Sequence, residues 1–497
     1  MRRNLTWVLV VLLAAFVAAR IAVLTGGQIF TSHDTFSYAY RTDPSFNRGP
    51  LVSFTGDAPR LWGVPLFYAL FPTDTARAAG QWALATSAWI VLAVVVWASV
   101  RSTVARVLGA AGLLGLGLAA PVTNWDFAIL SESLTVSLGV LTVAGLLWWL
   151  RTGSRTALIG MCVAGLWWTF TRPDIRVFTV LLVALPAVVA WRNRSRRVPA
   201  LVAAGVLAVA TLWCTVILPR VDRSFEEYSA TAAVGYEEGL LVYRLRLHVL
   251  PHADVKAAFQ RDFGLPGCAP AEEIAAGPEW RTVEFVDAYT RCPELRDWGR
   301  RNAGDVWTRF AVEEPALYAS YLRDTVVWSL RGPVYAKVPR VLPARLEKAA
   351  FPPGNRALYV VVAGLAVSLG VALAAGAARR RRLLFAAGIG LAAASVASLL
   401  AGIQFGAGEY NRFGVQEVVG LRLAVLLLLV AAVDAAVERW RERRAGPGEP
   451  VPAEPAPDMI GYRAPSDAGS TDPGEADGRR DPRRDGGERV EGRRVPG

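Results

Sequence analysis

Apolar residues in this chain gather in long blocks instead of alternating or recurring every third or fourth place. Such blocks cover residues 5–24, 80–100, 104–120, 132–150, 156–170, 174–191, 198–218, 357–378, 383–402 and 416–437. As helices, most are long enough to cross a hydrocarbon layer of roughly 30 Å, so the pattern predicts an all-α polytopic membrane protein of about ten transmembrane helices. The polar junctions between blocks carry Arg2 and Arg3, Arg101 and Arg106, Arg151 and Arg155, "RNRSRR" at 192–197, "RRRR" at 379–382 and "RWRERR" at 439–444. These fall at alternate junctions. Positive residues are retained on the cytoplasmic side, which predicts a plasma-membrane protein with both termini cytoplasmic. Residues 25–79, 121–131, 171–173, 219–356 and 403–415 are then outside. The first block, with its basic start and "FVAA", also has the look of a cleaved signal peptide; cleavage would not alter the orientation of the rest.

This topology divides the chain into an N-terminal membrane module (1–218), an outer loop (219–356), C-terminal membrane helices (357–444) and a tail (445–497). The outer loop is long enough for a small, mainly helical subdomain. Its segments 253–263 and 297–325 have helix-like apolar spacing, punctuated by Pro251, Pro266 and Pro293. Cys268 and Cys292 both lie in it, facing an oxidising compartment, and are expected to form a disulfide; Cys162 and Cys214 lie in membrane spans as packing residues. The tail has no Leu, Phe or Trp and is crowded with Pro, Gly, Asp, Glu and Arg. It cannot bury enough apolar surface to offset its ordering entropy, which predicts disorder. Stopping the chain near Ala445 is therefore expected to leave insertion and activity intact. Loss of activity in a truncated protein recovered from membranes at normal levels would assign the tail a role.

Composition changes little in this picture. The chain is 53% hydrophobic with a formal net charge of +12. That charge sits at the ends of apolar blocks, so it follows topology and excludes a nucleic-acid partner as its explanation. The 17 Trp residues read as interface belt and packing. The unexpected residues are ionisable groups in the short outer links. "TSHDTFSYAY" (31–40) places Asp34 among Phe36, Tyr38 and Tyr40. "NWDFAILSESL" (124–134) puts Glu132 at the start of a span. "TFTRPDIRVF" (169–178) holds Arg172, Asp174 and Arg176, and "GEYNRFGVQE" (408–417) holds Glu409, Arg412 and Glu417.

Ionisable groups at membrane depth are costly and call for a local reason. Each has a structural reading: Glu132 favoured by a helix dipole, Pro173 and Asp174 opening a helix, Arg412 anchored to lipid phosphate, Asp34 capping a short helix. Together, acids and arginines on one side fit the transfer of a sugar from a lipid-linked phosphate. That reaction needs a carboxylate to accept the proton of an acceptor hydroxyl and cations to hold the departing phosphate. Arginine suits phosphate because its planar fork offers paired donors.

The acid followed four residues later by Tyr in "DTFSY", the "SESL" at the start of a span and the "EYNRF" before the last span together resemble the GT-C superfamily of integral-membrane glycosyltransferases. Within it the chain is most similar to actinobacterial membrane proteins whose outer loop carries patterns like "RLHVLPHADVKAAFQRDFGLP" (246–266) and "WTRFAVEEPALYASYL" (307–322). The resemblance implies a GT-C-like helical bundle, a polyprenyl-phosphate sugar donor and a cell-envelope glycan or glycolipid acceptor. It makes Asp34 the catalytic base. Glu132 is expected to orient an arginine or the acceptor, and Tyr38, Arg172, Asp174, Arg176, Glu409 and Arg412 to bind substrate. Thr35 stands where the family often has a second acid, so a divalent cation is an open part of this expectation. No His or acid cluster has a metal-ligand spacing. Two other readings stand beside it: an O-antigen-type ligase using His248 and His252, and a lipid or sugar transporter or scaffold without enzymatic activity.

Overall fold

A computed structural model describes residues 2–39, 52–192, 194–228, 234–277, 281–332, 334–406 and 410–445. Every regular element among them is a helix; one isolated parallel bridge joins Phe30 to Ala128. Eight helices are long and apolar enough to span a membrane: Thr6–Gly26, Asp74–Ser99, Glu132–Thr152, Pro173–Trp191, Arg194–Ser224, Arg356–Ala374, Arg382–Phe405 and Val415–Arg444. The chain is thus built as a multi-pass membrane protein.

The sequence predicts ten spans, and the two others take different forms. Block 104–120 becomes the helix Thr103–Leu118, which joins Ala120–Phe127 at a bend of 56° and makes a ninth span if the pair is counted as one. Ala119 leaves the helical region (ψ 134°) and Pro121 follows, with no backbone N–H to continue the ladder. Block 156–170 becomes Arg155–Thr169, 15 residues long. At 1.5 Å per residue that is only about 22 Å. Its continuation is broken by Arg172, whose extended backbone precedes Pro173.

The last helix, Val415–Ala445, runs through the middle of the bundle against Thr103–Leu118, Glu132–Thr152, Arg356–Ala374 and Arg382–Phe405. It separates two groups of charges. Glu417 lies at one end and Asp434 near the other, roughly 26 Å apart along the helix axis. Asp434 is fully buried; it accepts from the main-chain N–H groups of Arg101 and Ser102 and from the Arg381 guanidinium, so it fastens two helix starts to the last helix. A buried acid therefore also lies at the end opposite the candidate site residues that the sequence gathers on the outer side. Buried polar groups also occur within the bundle. Arg20 pairs with Asp126 at 2.7 Å and donates to Thr86 and the Trp82 carbonyl, tying the first helix to its neighbours. Arg422 donates to the carbonyls of Ala350, Val418 and Leu330, stitching the ends of two helices to the last one.

Helices between residues 234 and 330 gather around a second apolar cluster that includes Phe259, Phe285, Tyr289, Trp298, Trp307 and Phe310. Ala253–Asp262 and the run Pro293–Asn302, Val306–Glu313 and Pro315–Leu330 occupy the two stretches with helix-like spacing. Leu399 and Ile403 of a membrane helix complete the cluster, and the described residues belong to one compact unit. The tail expected to be disordered falls, from residue 446 on, outside the described residues.

Cys268 and Cys292 are joined by a disulfide, with Cα atoms 6.4 Å apart. Each immediately precedes a helix, Ala269–Ala275 and Pro293–Asn302, so the bridge fixes two helix starts. Loop-closure entropy for a ring of this size corresponds to about 3 to 4 kcal/mol. Both thiols are expected to resist alkylation in denatured protein until a reductant is added. Labelling of either without reduction excludes the bridge.

Candidate functional site

Five separate stretches of chain deliver charged side chains to one end of the bundle, the connection 52–62 with Arg60 among them. The helix His33–Ala39 carries Asp34 in its first turn. Its base is pinned to the link before Glu132: Phe30 exchanges main-chain hydrogen bonds with Phe127 and Ile129, and the Thr35 hydroxyl donates to the Ile129 carbonyl at 3.0 Å. Thr35, fully buried, thus holds the Asp34 turn in place. Glu132 is the first residue of Glu132–Thr152, yet it does not act as a helix cap; its carboxylate is turned toward two arginines. Arg172 enters from the extended residue before Pro173, and Arg412 from the short helix Tyr410–Phe413.

These side chains form one continuous network. Glu132 Oε1 accepts from Arg412 Nε at 2.9 Å and from Arg172 Nη1 at 3.1 Å. Arg412 reaches onward to Asp34 Oδ2, and Arg60 Nη2 donates to Asp34 Oδ1 at 2.9 Å. On the other flank Arg172 grips Asp174 with a paired contact, Nε to Oδ1 at 3.0 Å and Nη2 to Oδ2 at 2.9 Å, and donates to the Phe413 carbonyl. Both guanidiniums lie against the Phe413 ring, 5.0 and 4.9 Å from its centroid. Gln416 continues the network from Asp174 to Glu417. Burial works against the charge on Arg172, but Asp174 and then Glu132 outweigh it and hold the guanidinium above its ordinary pKa.

Exposure grades across the network. The side chains of Glu132, Arg172 and Arg412 are 0%, 7% and 7% exposed, whereas Asp34 and Arg60 are 23% and 21% exposed. Two carboxylates of the network keep some exposure, Asp34 and, at 21%, Asp174; Asp174 is taken up by the paired contact with Arg172, whereas Asp34 meets two separate arginines. The Glu132 carboxylate lies beneath it, with Oε2 buried and unpaired among the described groups. Tyr68, also buried, hydrogen-bonds the Leu130 carbonyl and Gln81, and burial followed by the nearby Glu132 raises its hydroxyl pKa well above the usual value.

No protein-family model, curated protein or solved structure matches this chain. Its chemistry is read from the geometry.

The structure brings together Asp34, Glu132, Arg172, Asp174 and Arg412, and excludes Arg176, which turns back to the Pro173 carbonyl at 2.7 Å. A helix places residues 172 and 176 about one turn apart, but Pro173 interrupts it, and the two guanidiniums diverge. Glu409 lies outside the described residues, as do Tyr40 and Asp43. Tyr38 is buried under Arg60, its ring 4.6 Å from the guanidinium carbon, whereas Phe36 faces outward. Among the described residues no group of three or more His, Cys, Asp and Glu side chains could hold a metal ion, and the acids of this site face guanidiniums. The donor set does not fit a divalent cation. His248 is buried in edge contact with Tyr321, 5.2 Å between ring centroids, and His252 precedes a surface helix.

Arg60 was not legible as a site residue. It comes from the connection 52–62, which is docked by Trp213 Nε1 on the Phe54 carbonyl, by Arg220 on the Thr55 carbonyl and by Trp62 stacked on Phe170. Gly56, at φ 88°, and Gly63, where a Cβ would sit 2.6 Å from the Phe170 oxygen, permit that close approach. An arginine in a connecting segment carries no periodic signal.

Proposed function

We propose that the protein is a membrane glycosyltransferase of GT-C type. It moves a sugar from a polyprenyl-phosphate carrier to a hydroxyl of a cell-envelope glycan or glycolipid on the outer face of the plasma membrane. The observation that supports this reading best is the graded network: a partly exposed carboxylate, Asp34, set between the guanidiniums of Arg60 and Arg412 at the end of a membrane bundle. A lipid carrier keeps its chain in the bilayer and its head group at that boundary.

In the reaction Asp34 accepts the proton of the acceptor hydroxyl as its oxygen bonds to the anomeric carbon. The bond from that carbon to the phosphate oxygen breaks on the opposite face, with inversion, and releases prenyl phosphate. Arg412 and Arg172, fixed by Glu132, Asp174 and Phe413, line the place where charge grows on the leaving phosphate, in a low-dielectric setting. Tyr38 walls the entrance. The helical layer from 234 to 330 offers a surface for the acceptor on the same side. Burial of His248 against Tyr321 leaves the ligase alternative only His252, which is exposed but lies outside the Asp34 network. A transporter is disfavoured because Asp434, Arg20 and Arg422 are all engaged in fastening helices.

The test is transfer by purified protein in nanodiscs, supplied with prenyl-phosphate sugars and envelope glycolipid extracts. The expected result is release of prenyl phosphate coupled to glycosylation of the extract. Absence of both with a panel of prenyl-phosphate sugars overturns the reading.

A further inference from the structure

Among its described ion pairs, this site offers no surplus positive charge. Arg60, Arg172 and Arg412 already face Asp34, Glu132 and Asp174, and Glu417 adds a further acid at the buried end. Among these described pairs, an incoming phosphate gripped directly by an arginine takes it from a carboxylate. The three arginines differ sharply in what such an exchange costs. Arg172 and Arg412 converge on Glu132, which is wholly buried, and pulling either away leaves a buried charge poorly compensated. Arg60 and Asp34 are both partly open to solvent, where an ion pair is weak and its exchange is cheap.

The surroundings of Arg60 suit such an exchange. Its Nε donates to Ser37 Oγ at 2.7 Å and its guanidinium lies over the Tyr38 ring, so the stem is guided while Nη2 holds Asp34 Oδ1. The backbone behind it is anchored on Phe170 and on the helix Arg197–Tyr228. Asp34 Oδ2 is held separately, by Arg412.

We propose that Arg60 is a positioning residue that transfers from Asp34 to the phosphate of the lipid-linked donor, and so frees the base only when donor is bound. The proposal rests on the glycosyltransferase reading and names how its base is released. With Arg60 on Asp34 Oδ1, that oxygen is occupied and the carboxylate is a poor proton acceptor. When a phosphate oxygen takes the Nη2 hydrogen bond, Oδ1 opens toward the acceptor hydroxyl while Arg412 keeps the carboxylate oriented. Donor then binds before acceptor, and the acceptor is not activated at an empty site.

The competition between carboxylate and phosphate yields shifts of opposite sign. The experiment measures binding of a short-chain prenyl monophosphate to the full chain in phosphatidylcholine nanodiscs, with inorganic phosphate as a second probe. Arg60→Gln is expected to weaken prenyl phosphate binding tenfold or more, and Arg60→Lys to recover most of it. Asp34→Asn is expected to tighten it several-fold, because the competing carboxylate is gone. A merely structural role for either residue does not produce tightening. Inorganic phosphate is expected to bind far more weakly; equal binding of the two probes overturns a lipid-linked source. Unchanged affinity in both Arg60→Gln and Asp34→Asn, with transfer still lost in Asp34→Asn, overturns the exchange and leaves the enzyme reading intact. Opposite-signed binding shifts in a protein whose Asp34→Asn form transfers sugar normally uphold the exchange and overturn the base. Failure of the wild type to bind prenyl phosphate overturns both.

Discussion

Asp34→Asn is expected to lower sugar transfer by about 10²–10⁴, the usual contribution of a positioned general base, while leaving the protein folded and inserted. Asparagine has nearly the same shape and keeps one carbonyl oxygen for Arg412 or Arg60, but it cannot take a proton at neutral pH. Stability is little affected because the pair with Arg60 is partly solvated and Arg412 retains Glu132. The measurements are transfer of labelled sugar and thermal melting, made on the same preparation. Transfer at the wild-type rate moves the base elsewhere. Asp43 or Asp57 of the same loop then becomes the next candidate; Asp57 accepts from the Thr55 hydroxyl and is itself exposed.

Glu132→Ala is expected to produce the opposite balance, a large loss of stability with activity falling in consequence. Glu132 is fully buried and one of its oxygens accepts from both Arg172 and Arg412. Removing it brings two buried guanidiniums face to face with their shared acceptor gone. Breaking a buried pair in this way typically costs about 3–5 kcal/mol, enough to lower the melting temperature by several degrees. Glu132→Gln restores a hydrogen-bond acceptor without the charge and is expected to fall between. Melting unchanged in Glu132→Ala overturns the view that Glu132 sets the arginines. The contrast between the two positions is itself informative: loss of chemistry at Asp34 without loss of fold, and loss of fold at Glu132.

Much of the architecture was legible because hydropathy is a local property. An apolar block long enough to cross the bilayer declares a helix wherever it packs, and the eight long helices coincide with eight of the blocks read from the sequence. The cost of placing charges next to such blocks singled out Asp34, Glu132, Arg172, Asp174 and Arg412 in the same way. Pairing is not local. Asp34 and Arg412 stand 378 residues apart, and nothing in either stretch names its partner. Arg176 was as good a candidate as Arg172 until a proline turn sent it the other way. Arg60 was invisible, since its place depends on a connection docked through Trp62, Trp213 and two glycines. Sequence alone determined that this chain crosses a membrane many times and carries ionisable groups where lipid makes them costly. Only the tertiary structure decided which of them meet, because ion pairs at a bundle end are fixed by how separate helices pack and not by any residue's neighbours in the chain.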